Sequence, residues 1–356
     1  MEQIEVKPVW SDSLGAKSMC VKVKTSDTSM VVDPAAAVMQ KSYPLSTERK
    51  YTLLDEARRE IEKACEGAEH AFISHYHYDH HFLPGTQGID FEKVFSGKEI
   101  WMKDPNRWIN PSQWKRSRKF IRAFLDMHEV SGDLKDFEEE PKEMDYPDPL
   151  KELPLLQEIE EGDYAERREE LHDRWREKFF RRTEMWNSKE HVKEPFEKIH
   201  FADGKTLKEG DTTIRFTDPL FHGIEYSKTG WVVAIVIEKG EDKFIYTSDL
   251  QGPTIEDYAE WLIEEDPDFL ILDGPATYLL GYMLNNFNLN RAVKNAERII
   301  EGCDFETMLY DHHLTREKGF REKTEDIWDA AEKEEKDVLT YREFLEGKRP
   351  LAEEVD

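Results

Sequence analysis

The sequence predicts an α/β fold interrupted by a helical insertion, and three observations carry that prediction. Short apolar strands alternate with helical patterns at both ends of the chain, over roughly residues 1–100 and again from about Lys198 onward. Between them, from about Pro105 to Val192, the texture is charged and aromatic, poor in glycine and poor in strand patterns. The third is the octapeptide Ser74-His-Tyr-His-Tyr-Asp-His-His81, set straight after the apolar run Ala71-Phe72-Ile73.

In chain order, Ser29-Met-Val-Val-Asp33-Pro34 reads as a strand ending in a carboxylate. A helix is expected over Thr52 to Glu66, where Leu53, Leu54, Ala57, Ile61 and Ala64 recur at helical spacing. The segment 105–192 reads as long helices inserted into one domain that spans 1–356, with Pro141, Pro147, Pro149 and Pro154 breaking it into two arms. Beyond it, Trp231-Val-Val-Ala-Ile-Val-Ile is the most strand-like run. Lys243-Phe-Ile-Tyr-Thr-Ser-Asp249 is a further strand ending in a carboxylate, Phe269-Leu-Ile-Leu-Asp273-Gly-Pro another, and Leu289 to Ile300 a helix. Thr307-Met-Leu-Tyr-Asp-His312-His313 reads as a last strand running into a histidine pair. No tandem repeat is visible.

The octapeptide says most about chemistry. In an extended segment alternate side chains point the same way, so His75 and His77 can bind one cation from one side. If the chain turns after Tyr78, Asp79 and His80 face a second ion a few ångströms away. Imidazole and carboxylate without a nearby cysteine favour Zn, Fe, Mn, Co or Ni over a thiolate-bound structural zinc. A histidine-rich surface turn is the bland alternative, but such tracts lack the interposed aspartate and do not sit at a strand end.

The H-x-H-x-D-H cluster of His75, His77, Asp79 and His80 after a buried strand resembles the signature of metallo-β-lactamase-fold hydrolases. That family places a further His, then an Asp, then a last His at strand ends, and His222, Asp249 and His313 or His312 follow here in that order. The resemblance implies an αββα four-layer sandwich. It implies two divalent metal ions, Zn or alternatively Fe or Mn: His75, His77 and His222 on the first, Asp79, His80 and His313 on the second, with Asp249 bridging. His313-Leu-Thr resembles the family's His-apolar-Ser/Thr ending, while His312 fits a strand frame shifted by one. A hydroxide between the ions is then the expected nucleophile, with Asp79 and Asp249 as the catalytic carboxylates that orient it. Asp33 and Asp273 are expected behind the ligands, each orienting a ring; an Asp-Pro turn and an Asp-Gly-Pro turn are the alternatives.

His77 stands where the family's oxygen-reducing diiron branch has a carboxylate, which favours hydrolysis. The short connection between Asp249 and His313 argues against the capped messenger-RNA nucleases, and the glycine-poor insertion differs from the glycine-rich arm of the tRNA-processing branch. The double histidine with Leu-Thr-Arg and the Tyr-Thr-Ser-Asp-Leu-Gln-Gly-Pro stretch look most like a mainly archaeal branch of predicted metal-dependent hydrolases. The expected function is therefore dinuclear hydrolysis of an ester, lactone or phosphodiester. The alternatives are a nuclease using the basic insertion and a non-hydrolytic iron-binding or dioxygenase relative.

The insertion offers two basic-aromatic clusters. Arg107, Arg116 and Arg118 lie among Trp108, Trp114 and Phe120, and Arg174 to Arg182 repeat the texture around Trp175, Phe179 and Phe180. Such interleaving can track phosphates, which makes Arg107, Arg116 and Arg118 possible substrate contacts and leaves nucleic acid or an oligomer contact open. The stronger expectation is that these arginines fix the helices to the parent fold or pair with the abundant glutamates.

Composition narrows the setting. The net charge of -27, from 77 acidic against 50 basic residues, repels polyanions on average and suits either heat or high salt. Three widely spaced cysteines, Cys20, Cys65 and Cys303, suggest neither a disulfide framework nor a zinc knuckle. The N-terminal sequence has no basic flank with an apolar stretch, and no window approaches a membrane span, so a cytoplasmic enzyme is expected.

Overall fold

The computed structural model describes residues 1–159 and 165–355; residues 160–164, inside the expected insertion, and residue 356 lie outside the description. The chain opens with strands β1 (Glu5–Ser11), β2 (Met19–Lys24) and β3 (Ser29–Val32), then helix α1 (Thr47–Cys65), β4 (His70–Ile73), α2 (Phe91–Phe95) and β5 (Glu99–Met102). Helix α1 starts about a turn earlier than the apolar spacing suggests. The reason is a cap: the Ser46 hydroxyl accepts from Arg49 N at 3.2 Å.

The middle of the chain supplies α3 (Pro111–Met127), the short ladder of β6 (Glu138–Glu139) with β7 (His191–Val192), α4 (Pro154–Gln157) and the long α5 (Ala165–Ser188). Asn110 caps α3, accepting from Ser112 N and Gln113 N at 2.9 Å each, with Pro111 at the first helical position. Strand β8 (Ile199–Phe201) then closes the first sheet, whose order is β1-β2-β3-β4-β5-β8.

The second half runs β9 (Thr206–Glu209), β10 (Thr212–Phe216), β11 (Leu220–Phe221), β12 (Trp231–Val232), β13 (Ile235–Lys239), β14 (Asp242–Tyr246), α6 (Glu256–Glu265), β15 (Phe269–Asp273) and α7 (Asn286–Gly302). It ends with β16 (Thr307–Asp311), α8 (Phe320–Lys323), α9 (Glu325–Lys333), β17 (Asp337–Leu339) and α10 (Tyr341–Glu346). The second sheet has the order β17-β16-β15-β14-β13-β10-β9. The run expected as one strand from Trp231 is split. Trp231 and Val232 pair with Phe221 and Leu220 beside the site, whereas Ile235 onward joins the second sheet against β10 and β14.

Period-two alternation in the second sheet builds the layers. Ile235, Ile237, Phe244, Tyr246, Ile271 and Leu309 share one core with the first sheet. The intervening Val236, Ile245, Leu270, Leu272, Met308 and Tyr310 share another with α6, α7 and α9. Phe216 joins the sheets, its ring centroid 5.1 Å from Phe72 and 5.0 Å from Trp101. Leu54, Ala57, Ile61 and Ala64 bring α1 onto the first sheet, as Phe120 and Phe124 bring α3. The result is helices, sheet, sheet, helices: an αββα sandwich.

Each sheet pairs its early strands antiparallel and its later ones parallel. The parallel strands are β3-β4-β5-β8 in one and β14-β15-β16-β17 in the other. This twofold resemblance between halves is not visible in the sequence because the matching strands share a pattern, not residues. Its consequence is positional. Asp33, the Ser74–His81 segment, Asp249 and His312-His313 follow C-terminal ends of parallel strands and Asp273 is the last residue of one, where such sheets leave an open crevice.

Candidate metal centre

The octapeptide leaves β4 as a series of bends and a turn, not as the extended segment the spacing suggested. Ser74 sets the departure: its N–H and hydroxyl donate to the two Asp33 oxygens at 2.8 and 2.5 Å, and its carbonyl accepts from Val233 N at 3.1 Å. The chain then folds back, with His80 N and His81 N both 3.1 Å from the His77 carbonyl. His75 and His77 nonetheless meet, His75 Nε2 lying 3.0 Å from His77 Nδ1.

Three groups of ligand atoms converge, each lying within 4.8 Å of one another: His75, His77, His222 and Asp249; Asp79, His80 and His312; and Asp249, His312 and His313. Asp249 stands between them. Its Oδ2 is 3.4 Å from His75 Nε2 and 3.1 Å from His222 Nε2, while its Oδ1 is 3.2 Å from His80 Nε2 and 3.4 Å from His312 Nε2. One oxygen thus faces each histidine set, the arrangement a bridging carboxylate needs.

Backing groups fix which ring nitrogen points inward. Asp33 Oδ2 lies 2.8 Å from His80 Nδ1 and also accepts from the Tyr246 hydroxyl at 2.6 Å. His75 Nδ1 is held by Ser74 Oγ at 3.1 Å, and His312 Nδ1 by the Ser18 carbonyl at 2.9 Å and Asp12 Oδ1 at 3.2 Å. Asp273 sits under His313, both oxygens 3.0 Å from Nδ1. Gly274 follows it because a Cβ there would stand 2.6 Å from that of Leu314. Asp33, Ser248 and His312 each hold a left-handed backbone, with φ of 46°, 55° and 49°. Such φ values are uncommon outside glycine and are held here by the contacts around them.

The residues fit a pair of cations. His80 Nε2, both His222 ring nitrogens and Asp249 Oδ1 are buried without a hydrogen-bond partner among the described residues, an arrangement that costs free energy unless something else binds them. Burial, with His80 nearby, pushes His75 down to about 4, and burial with His75 and His222 holds His77 well below its ordinary value; both therefore offer neutral imidazoles. Burial alone would raise Asp249, but His80, His312 and His75 outweigh it and hold the carboxylate ionised. An N/O donor set of this kind suits Zn, Fe or Mn.

Of the two candidate last ligands, His312 groups with Asp79 and His80, whereas His313 comes together only with His312 and Asp249. His313 instead lines a cavity of about 500 Å³, together with His77, Asp79 and His222. Arg107, Arg116 and Arg118 are not among the described residues lining that cavity. Arg116 donates to the Tyr76 carbonyl at 3.1 Å with its guanidinium 4.5 Å from the Tyr78 ring. Arg118 stacks on Trp114 and donates to the Pro105 and Glu190 carbonyls at 2.9 and 3.1 Å. Arg116 thus ties α3 to the octapeptide, and Arg118 ties it to the Pro105 and Glu190 backbone.

Three neighbours went unread in the sequence. Asp12 pairs with Arg316 and His312; Arg316 also reaches Asp79 at 3.4 Å; and Gln113 Nε2 lies 3.4 Å from His77 Nε2. Arg316 alone had a signal, four residues after His312, since that spacing puts both on one side of a helical turn.

Two facing sheets of this topology, with helices outside and a histidine–aspartate cluster at the strand ends, define a metallo-β-lactamase fold. No family model matches the chain. A UPF0282 protein of Methanopyrus kandleri is 30% identical over 362 residues, spanning 97% of this chain and 99% of its own. One from Pyrococcus furiosus is 30% identical over 350 residues, spanning 96% and 87%, and one from Korarchaeum cryptofilum 29% over 349, spanning 98% and 91%. The chain belongs to the UPF0282 family. Solved structures are more distant. Unliganded yeast PDE1 superposes with a TM-score of 0.45 at 11% identity, covering 95% of this chain and 96% of that one. Human tRNase Z, short form, gives 0.35 at 12% identity, covering 86% and 92%. Likenesses this remote say nothing about activity.

Proposed function

We propose that this protein is a dinuclear metal-dependent hydrolase acting on an ester, lactone or phosphodiester. The single observation that carries the reading is Asp249, whose two oxygens face two separate histidine sets beside a cavity that His77, Asp79 and His222 line. His75, His77 and His222 would hold one ion, and Asp79, His80 and His312 the other, with Asp249 shared. Bound there, two such ions supply charge that ionises water near neutral pH and stabilises a developing oxyanion.

The chain's own residues do the rest. Asp33, Ser74, Asp12 and Ser18 hold the rings so that no reorganisation is required at the moment of reaction. His313, its Nδ1 fixed by Asp273, lines the cavity and would stand beside a bound substrate. Asp79, 3.4 Å from Arg316, is kept ionised against the cost of burial by His80, Arg316 and His312, and is the carboxylate placed to receive a proton. The buried, unbridged Cys20, Cys65 and Cys303 suit a reducing, cytoplasmic setting, and no helix among the described residues is long and apolar enough to cross a membrane.

The test is a substrate panel of an activated phosphodiester, a carboxylic ester and a lactone, run with Zn, Mn and Fe supplied separately and repeated with His75→Ala. Hydrolysis of at least one class should fall by about 100-fold or more in the variant. Activity unchanged by that substitution, or oxygen consumption in place of hydrolysis with iron, overturns the reading.

A further inference from the structure

The cavity above the histidine cluster is built for a particular kind of guest. One wall comes from α5, through Trp175, Lys178 and Arg182; another comes from the segment Tyr278–Leu284. Its volume of about 500 Å³ suits a ligand of nucleotide size.

Charge is the first clue. In a chain of net charge -27, the cavity is lined by Lys178, Arg182, Lys228 and Arg316 against Asp79 and Glu225 as its acids. Glu225 is already neutralised: Arg168 lies 3.0 Å from it, His172 2.9 Å and Arg291 3.2 Å. On the same helix Arg176 is held by Asp148 at 2.6 Å. Lys178, Arg182 and Lys228, by contrast, have no carboxylate at ion-pairing distance among the described residues. Arg182 is half-buried, donating to the Ser227 carbonyl at 3.0 Å with its guanidinium 5.3 Å from the Trp231 ring. Cations left without counter-charges in so acidic a protein are repaid by an anion.

The second clue is apolar surface where water should be. Tyr282 is 84% exposed and Met283 49%, both at the cavity mouth. Their turn is preformed, Gly281 N donating to the Leu284 carbonyl at 2.8 Å and Leu284 N to the Leu279 carbonyl at 3.1 Å. A rigid turn presenting an aromatic ring and a thioether, with Trp175 on another wall, is a platform for a flat ring.

We propose that the site takes an anionic phosphate ester bearing a planar aromatic group of nucleoside size, the phosphate read by Arg182, Lys178 and Lys228 and the ring held by Trp175 and the Tyr278–Leu284 turn. Calling this ligand a substrate rests on the hydrolytic reading above; its binding does not. Hydrolysis would form a P–O bond to water and break the ester P–O bond, the water's proton ending on the leaving oxygen. An uncharged ester or lactone leaves the same cations unpaired and binds without their help.

The experiment titrates adenosine 5′-monophosphate, adenosine and inorganic phosphate into the full chain, followed by calorimetry and tryptophan fluorescence. The nucleotide should bind at least about tenfold more tightly than either fragment. Lys178→Glu and Arg182→Ala should each weaken it by about tenfold while leaving adenosine unchanged, and Trp175→Ala should weaken nucleotide and nucleoside alike. Lys178 is exposed, so Lys178→Glu carries the test if Arg182→Ala fails to fold. Equal affinity for adenosine and its phosphate, or nucleotide affinity indifferent to Lys178→Glu, overturns the proposal even if uncharged esters are hydrolysed. Nucleotide binding that depends on these residues and persists in His75→Ala, in a protein that hydrolyses nothing, leaves the proposal standing and removes the hydrolytic reading instead.

Discussion

Asp33 touches no ligand atom of the cluster's inner face, yet Ser74, His80 and Tyr246 all end on it. Replacing it with Asn keeps the volume but removes the charge and one acceptor, so the His80 ring loses its fixed orientation. Asp33→Asn should lower metal affinity by about 10- to 100-fold with the fold intact, measured by competition against a chromogenic chelator. Unchanged affinity would make the Asp33 contacts merely structural. At this scale the sequence was informative where residues are close together: the octapeptide identifies itself because four donors fall within six positions. His312 and His313 could not be told apart, since adjacent side chains differ only by the backbone turn at the end of β16, where His312 takes a left-handed φ of 49°. Asp12 was invisible because nothing local marks it; its partners Arg316 and His312 lie some 300 residues away.

At the scale of elements, α5 is what the parent fold has gained over the site. Its docking is half aromatic and half ionic. Phe179 and Trp186 pack with Trp108 and Trp231, ring centroids 5.5 to 6.1 Å apart, while Arg168 and His172 end on Glu225, three residues beyond His222. Burial would raise the Glu225 carboxyl, but Arg291, His172 and Arg168 outweigh it and hold it far below its ordinary value. A depressed carboxylate stabilises fully above its unfolded pKa of roughly 4.3 and loses that contribution as pH falls toward the folded value. Glu225→Gln removes the buried charge that Arg168, His172 and Arg291 share and should cost about 3–5 kcal/mol in chemical denaturation at neutral pH, a deficit that shrinks in acid. A loss under 1 kcal/mol would mean that the aromatic contacts alone hold the helix. The arginine pattern of the insertion was legible as helix-fixing chemistry; its carboxylate partner was not, because Glu225 lies more than 50 positions from both Arg168 and Arg291. Strand runs were legible from alternation, and the division of Trp231–Ile237 was not, since both pieces are equally apolar and only the pairing with Leu220–Phe221 separates them.

Across the whole molecule, the site is where the two sheets' parallel strand ends meet, so it ties together residues from Asp12 to Arg316. Asp33 and Asp249 are buried there beside Asp79, and packing such charges is tolerable only with compensating cations. Metal binding is then folding free energy. Ligand at a hundredfold excess over its dissociation constant contributes about 2.7 kcal/mol, so chelation should lower the melting temperature by several degrees and Zn or Mn should restore it. A melting curve indifferent to chelator would separate the cluster from the stability of the sandwich. The αββα arrangement was legible through the motif order and not through composition, because net charge and residue counts carry no information on how strands pair across two sheets.

Elemental analysis of metal-replete, exhaustively dialysed protein addresses the shared role of Asp249 most directly. The wild-type chain should retain about two equivalents of a first-row divalent metal, falling well below one in Asp249→Ala, because both ions lose the carboxylate between them. A wild-type chain that retains no metal, or an Asp249→Ala chain that retains both equivalents, contradicts the account.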